Sequence, residues 1–253
     1  MIQSPIHRAL LTFRNCNVQF LLMGGQACIL YGGAEFSRDI DLSISIQPKN
    51  LVAVKKALRQ LKAQVVFFPD LDADALRRGH ACHFRCHAEG VEGLRIVLMT
   101  KMRDCPDFSD LWERRSIVEL PDIGEIGLLS LSDLLHAKKT QREKDWPMIR
   151  RLVETDIAQN QGKTSEQQII FWLKECRTPA LLAKLAQDHT DLCKQVVVHR
   201  PLLKAALAQD INGLEGSLYA EEKREKEKDR EYWQPLRMEL EQWRSQRKLR
   251  NRA

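Results

Sequence analysis

Two pairs of residues carry the chemistry that this chain offers. Asp39 and Asp41 stand one isoleucine apart in RDIDLSI, and Gly24 and Gly25 stand together at the end of VQFLLMGG. Aspartates at i and i+2 of a strand point to one face, with Ser43 beside them and Ile40, Leu42 and Ile44 on the other. Like charges side by side repel, so such a pair costs stability unless something positive lies between them. Carboxylate oxygens suit a hard cation, and Mg²⁺ binds through one or two carboxylates plus substrate phosphates. Gly24-Gly25 is expected to form a strand-to-helix turn, where free backbone N–H groups and a missing Cβ let a phosphate approach. Either pair alone is a common accident. In the order strand, Gly-Gly, short helix, loop and Asp-Ile-Asp strand, they outline half of a metal–nucleotide site.

The elements that must hold these residues are legible from periodicity. PIHRALLTFRNCN reads as an amphipathic helix and residues 18–23 as a buried strand. QACILYG follows as a short helix ending at Gly32-Gly33, and RDIDLSI as the next strand. Pro48 opens a helix (NLVAVKKALRQL), and QVVFF is a strand after it. HACHFRCH and GLRIVLM form a strand pair around a polar turn at residues 88–93, and FSDLWERR is a short helix. SIVEL and EIGLL bracket a turn at PDIG. From SLSDLLHAKK onward strand signal is nearly absent. The fold class expected is therefore α/β (α+β), a mixed sheet with flanking helices over residues 1–130. A helical region over 131–253 follows and ends in a long charged helix.

Composition bounds the setting. The chain has 253 residues, 43% hydrophobic and 29% charged, with a formal net charge of +6. Its pI of about 9.0 permits an anionic partner such as RNA or a nucleotide without requiring one. No apolar run approaches a membrane span, and MIQSPIHRALL lacks the layout of a signal peptide. Seven cysteines scattered through apolar stretches read as reduced thiols. A cytoplasmic protein without membrane association is the expectation.

The run Met23-Gly24-Gly25, thirteen residues, then Asp39-Ile40-Asp41-Leu42 resembles the fingerprint of the nucleotidyltransferase superfamily. Arg38, directly before the aspartates, is similar to the minimal bacterial branch of that superfamily. LSLSDLLHAKKTQREKDWPMIRRLVE (residues 129–154) resembles the segment after the catalytic domain in nucleotidyltransferase-like proteins that include the AbiE-type toxins of bacterial toxin–antitoxin systems. Lys138 and Lys144-Asp145 stand at matching places. The resemblance implies a nucleotidyltransferase fold, with transfer of a nucleotidyl group from a nucleoside triphosphate (NTP) to a hydroxyl. That hydroxyl would belong to an RNA end such as tRNA, a protein or a small molecule. It implies Mg²⁺ or Mn²⁺ on Asp39 and Asp41 as the catalytic carboxylates. Gly24, Gly25, Arg38 and Lys138 would bind the nucleotide, and an antitoxin would be a protein partner. Read from the residues themselves, Lys138, Lys139, Arg142 and Lys144 form a basic cluster fit for a triphosphate, or a set of salt bridges with Glu143 and Asp145.

One departure qualifies this. The superfamily usually carries a third carboxylate on a later strand, which completes the metal site and in many members accepts the hydroxyl proton. Related proteins place it in a Leu-Arg-hydrophobic-Asp-hydrophobic strand, and here Val97 occupies that place in Leu94-Arg95-Ile96-Val97-Leu98. Glu92 and Asp104 are the nearest carboxylates in sequence, and neither is mid-strand. A catalytically degenerate nucleotide-binding or interaction module is therefore the alternative to an active enzyme.

Three further clusters need an account. In HACHFRCH, strand alternation turns His80, Cys82 and Cys86 one way and His83 and His87 the other, which argues against zinc and leaves His83 and Arg85 free to line a nucleotide cleft. Asp70, Asp72 and Asp74 lack the glycine and bidentate glutamate of a calcium loop and suit a helix N-terminus. Tyr232, Trp233, Leu236, Leu240 and Trp243 fall at helical spacing in the charged terminal stretch. They make it a surface helix docked by an aromatic stripe, kinked at Pro235, more than an RNA-contacting arm built on the Arg and Lys residues after Arg237.

Overall fold

In the computed structural model, residues 4–160, 162 and 164–250 are described, with side chains through residue 246. The chain divides into two compact units: residues 1–29, 36–137 and 231–253, and residues 30–35 and 138–230. This differs from a single cut at residue 130.

The first unit is built on a seven-stranded mixed sheet. Its strands are β1 (Phe20–Met23), β2 (Asp39–Ile44), β3 (Gln64–Phe67), β4 (Cys82–Arg85), β5 (Arg95–Met99), β6 (Ser116–Leu120) and β7 (Gly124–Leu128), in the order β3-β4-β5-β2-β1-β7-β6. The β2–β5 and β1–β7 pairs are parallel and the other pairs antiparallel. One face of the central strands is fully apolar, with Ile40, Leu42, Ile44, Ile96 and Leu98 completely buried. Helix α1 (Pro5–Asn15) packs on that face, its Phe13 ring edge-on to Phe20 of β1 at 5.9 Å. Pro5 at its first position and Ser4, whose hydroxyl accepts from His7 N–H at 3.2 Å, start the helix as its sequence requires.

Helix α2 (Gly24–Leu30) begins directly on the two glycines, so they open the helix and do not form a separate turn before it. Gly24 makes the change of direction alone, at φ +65°. Helix α3 (Pro48–Gln60) contributes the buried Asn50, whose side chain accepts from Gln19 N–H at 2.6 Å and donates to Gln19 and Ser45 carbonyls. That amide holds together the chain entering β1 and the chain leaving β2. In the acidic stretch, Asp72 caps α4 (Ala73–Arg78) by accepting from Ala75 N–H at 2.8 Å. Helices α5 (Phe108–Glu113) and α6 (Leu131–Lys138) follow at the expected places.

The second unit holds α7 (Asp145–Gln159), α8 (Glu166–Glu175), α9 (Pro179–Asp188), α10 (Thr190–Val196) and α11 (Leu203–Leu207), with the start of α12 (Ile211–Arg250). Residues 30–35 belong to it because Gly33 lies under Leu152, where a Cβ would come within 2.4 Å. The end of α12 belongs instead to the first unit. Glu239 is hydrogen-bonded to His80 Nε2 at 2.7 Å and paired with Arg78 at 2.7 Å, and Trp243 packs 4.8 Å from the His80 ring. Tyr232 lies over Gly79, the left-handed cap of α4. The expected aromatic stripe therefore docks, although on the sheet unit, and the helix runs on through Pro235. The basic end at residues 247–253 lies outside the described side chains. No helix among the described residues is long and apolar enough to cross a membrane.

Replacing Asn50 with alanine strands the Ser45 carbonyl and the Gln19 N–H and takes one of two donors from the Gln19 carbonyl. It should lower unfolding free energy by about 2–3 kcal/mol in urea titrations, with little change in slope.

Candidate functional site

The backbone register decides what stands next to the two aspartates. In β2, Asp39 and Asp41 are both half-buried, on the face opposite the apolar core. Asp41 lies across from Met23 of β1 and Val97 of β5, and Asp39 across from Arg95. One strand further out, His83 faces Val97 and Arg85 faces Arg95. Residues paired across strands share a face, so two rows cross the sheet: Asp41-Val97-His83 and Asp39-Arg95-Arg85.

The glycines serve this arrangement in a way their spacing did not show. A Cβ on Gly24 would lie 1.9 Å from Asp41 Oδ2, and one on Gly25 would lie 2.4 Å from Ser37 Oγ. The room left by each missing side chain is thus taken by the protein's own carboxylate and hydroxyl, at the start of α2. Gln26, buried, donates its side-chain N–H to the carbonyl of Ser37 at 3.0 Å and of Asp39 at 3.4 Å. Gln26 and Ser37 were missed in the sequence, although a glutamine inside the apolar QACIL run is an odd placement that signals a local bond. Arg38 precedes β2, is exposed, and places its guanidinium 5.6 Å from the exposed Phe36 ring.

As donors for a metal, the residues present offer two carboxylates and no third. Val97 lies beside Asp41 and brings no oxygen. Glu92 accepts from Gly90 N–H in the β4–β5 turn, and Asp104 pairs with Arg103. No group of three or more His, Cys, Asp or Glu side chains is arranged to hold a metal among the described residues. A pair of hard oxygen ligands on one face fits a cation whose remaining positions are filled by substrate phosphates.

The histidine and cysteine cluster divides as strand alternation requires. Cys82 is buried on the core side, its thiol pushed up to about 11 by burial and donating to the Asp70 carbonyl. Cys86, likewise buried, is raised to about 11. His83 stands on the aspartate face with its pKa lowered, by burial first and by Arg95 second, against an opposing pull from Asp39.

Lys138 belongs to the second unit and is buried, with its ammonium 3.2 Å from Asp145 Oδ1. Asp145 also accepts from Thr140 Oγ1 at 2.6 Å and Arg142 Nε at 2.8 Å. The salt-bridge reading of the basic cluster describes this local geometry. Burial raises the pKa of Asp145, but Lys138, Thr140 and Arg142 outweigh it and leave it below the usual range. A depressed pKa contributes stability that is complete above the unfolded value near 3.8 and lost as pH falls through the folded one. Lys138→Met should therefore destabilise the chain by about 2–3 kcal/mol at pH 7. In denaturation series, that deficit should shrink as pH drops below 4.

No protein-family model matches the chain, and no curated protein matches it. Among solved structures, the chain is similar to "Crystal structure of putative nucleotidyltransferase from H. pylori", at 16% identity over 88% of this chain and 93% of that one, with a TM-score of 0.38.

Proposed function

We propose that this chain is a metal-dependent nucleotidyltransferase, acting from an NTP onto a hydroxyl acceptor. The observation that carries this is the pair Asp39 and Asp41 on the side of β2 away from the core, with Asp41 seated on Gly24 at the start of α2. Two carboxylates kept together on one face of a strand, with no apolar reason to be there, fit a cation and the phosphates it brings. Mg²⁺ or Mn²⁺ held there would supply charge stabilisation to the reacting phosphoryl group.

The residues of this chain would orient the reaction. Asp39 and Asp41 would hold the cation that draws in the phosphates, and the backbone at Gly24 and Gly25 would limit how they approach. The acceptor oxygen attacks the α-phosphorus, the bond from that phosphorus to the β-bridging oxygen breaks, and pyrophosphate leaves. The hydroxyl proton passes to solvent, since no carboxylate stands at position 97. A second reading, a binding module without turnover, is favoured by Val97, because an apolar side chain neither binds metal nor accepts a proton.

The full chain, incubated with each labelled NTP, Mn²⁺ or Mg²⁺ and total RNA, should transfer label. Asp39→Asn/Asp41→Asn should lower transfer on the order of 100-fold or more. Absence of transfer together with absence of metal-dependent NTP binding would remove both readings. Val97→Asp should raise transfer about tenfold or more if the missing carboxylate limits the rate, and leave it unchanged if it does not.

A further inference from the structure

We infer that Arg95, Arg85 and His83 form an anion subsite beside the aspartates, taking a phosphate group of the substrate on the strands where a third carboxylate is missing. This rests on the nucleotidyl-transfer reading and assigns a binding role to residues outside it. Arg85 and Arg95 face each other directly in the antiparallel β4–β5 pair, on the same side of the sheet as Asp39 and Asp41. Like charges directly opposite are destabilising, so these two guanidiniums raise the same question as the two carboxylates, with the sign reversed.

Two polar atoms in this patch are buried without a hydrogen-bond partner, Arg95 Nε and His83 Nδ1. An orphaned buried polar atom is costly, so a ligand that satisfies it is held with corresponding strength. Arginine's planar fork matches phosphate oxygens, which makes phosphate the fitting anion. Adjacent strands lie about 4.8 Å apart, so Arg95 is one strand from Asp39 and His83 about 10 Å from Asp41. That span is covered by a short phosphate chain.

Val97 gives the patch its sign. A carboxylate between Asp41 and His83 would pair with the neighbouring cations and repel a phosphate. Valine leaves β4 and β5 with a positive balance on this face, beside Asp39 and Asp41 of β2. The alternative use of Arg95 is to relieve the aspartate pair, and neutralising those aspartates separates the two.

The test uses the full chain in EDTA with inorganic pyrophosphate as the calorimetric probe. The Asp39→Asn/Asp41→Asn variant should bind it more tightly than the parent. Adding Arg95→Met should weaken binding at least tenfold and adding His83→Gln severalfold, while neutralising the exposed Lys55 of α3 should change nothing. Arg95→Lys, which keeps the charge and loses the fork, should be intermediate and guards against a folding defect, checked by thermal unfolding. No binding of pyrophosphate to the double-asparagine variant, or equal affinity with Arg95→Met, would overturn the subsite. A non-hydrolysable NTP analogue with Mg²⁺ on the parent separates the sources. If pyrophosphate is excluded, the phosphate is the donor's; if it still binds, the phosphate is the acceptor's. Pyrophosphate binding without any metal-dependent transfer would remove the enzyme reading and leave the subsite standing.

Discussion

Burial of Ile40, Leu42 and Ile44 on one face of β2 aims everything that lies on the other. Side chains alternate with period two, so a slip of one residue would bring the aspartates into the core and the three apolar residues out. Each of those side chains contributes about 2 kcal/mol by leaving water, whereas two carboxylates in contact with solvent repel by only about 1 kcal/mol. The apolar face therefore wins, and the like-charge pair is held in place by a core that has no direct interest in it. Gly24 then lets the Asp41 carboxylate sit against the backbone where β1 becomes α2.

The same register explains why the neighbouring face carries charge in blocks. From β2 outward, it presents two carboxylates, then Arg95 beside Val97, then Arg85 beside His83. Negative and positive groups are segregated by strand and not interleaved as on an ordinary solvated surface. A polyphosphate with its cation has the complementary pattern. Val97 marks the boundary between the two blocks and brings no polar group to it.

The helical unit uses charge differently, as internal bracing. Arg200 donates to the carbonyls of Leu173 and Cys176 at the end of α8 and to Glu221 of α12, and Arg177 donates to Glu221 and the Leu218 carbonyl. Burial raises the Glu221 pKa, but the bond from Arg200 and the fields of Arg200, Arg177 and Lys139 prevail and hold it low. Buried ion pairs of this kind contribute little net stability against apolar packing, yet losing one partner is costly. Lys138 with Asp145 belongs to this class. A basic cluster in sequence is thus an ambiguous sign, because the same residues suit a phosphate or a neighbouring carboxylate.

What the sequence by itself determined was the local part. Strand alternation in RDIDLSI and GLRIVLM, the amphipathic helix at PIHRALLTFRNCN, and the helical spacing of Tyr232, Leu236 and Trp243 all act over a few residues, and each is present as expected. Beyond the β4–β5 and β6–β7 hairpins, which strands became neighbours was decided only by the tertiary structure, because the pairing of β2 with β5 joins segments more than fifty residues apart through backbone bonds that no side chain announces. That pairing placed Arg95 beside Asp39 and Val97 beside Asp41. It also lay beyond local pattern that Gly24 makes room for Asp41, that Lys138 meets Asp145, and that the end of α12 returns to the sheet unit. Spacing in sequence states which side chains share a face; only packing states what stands across from them.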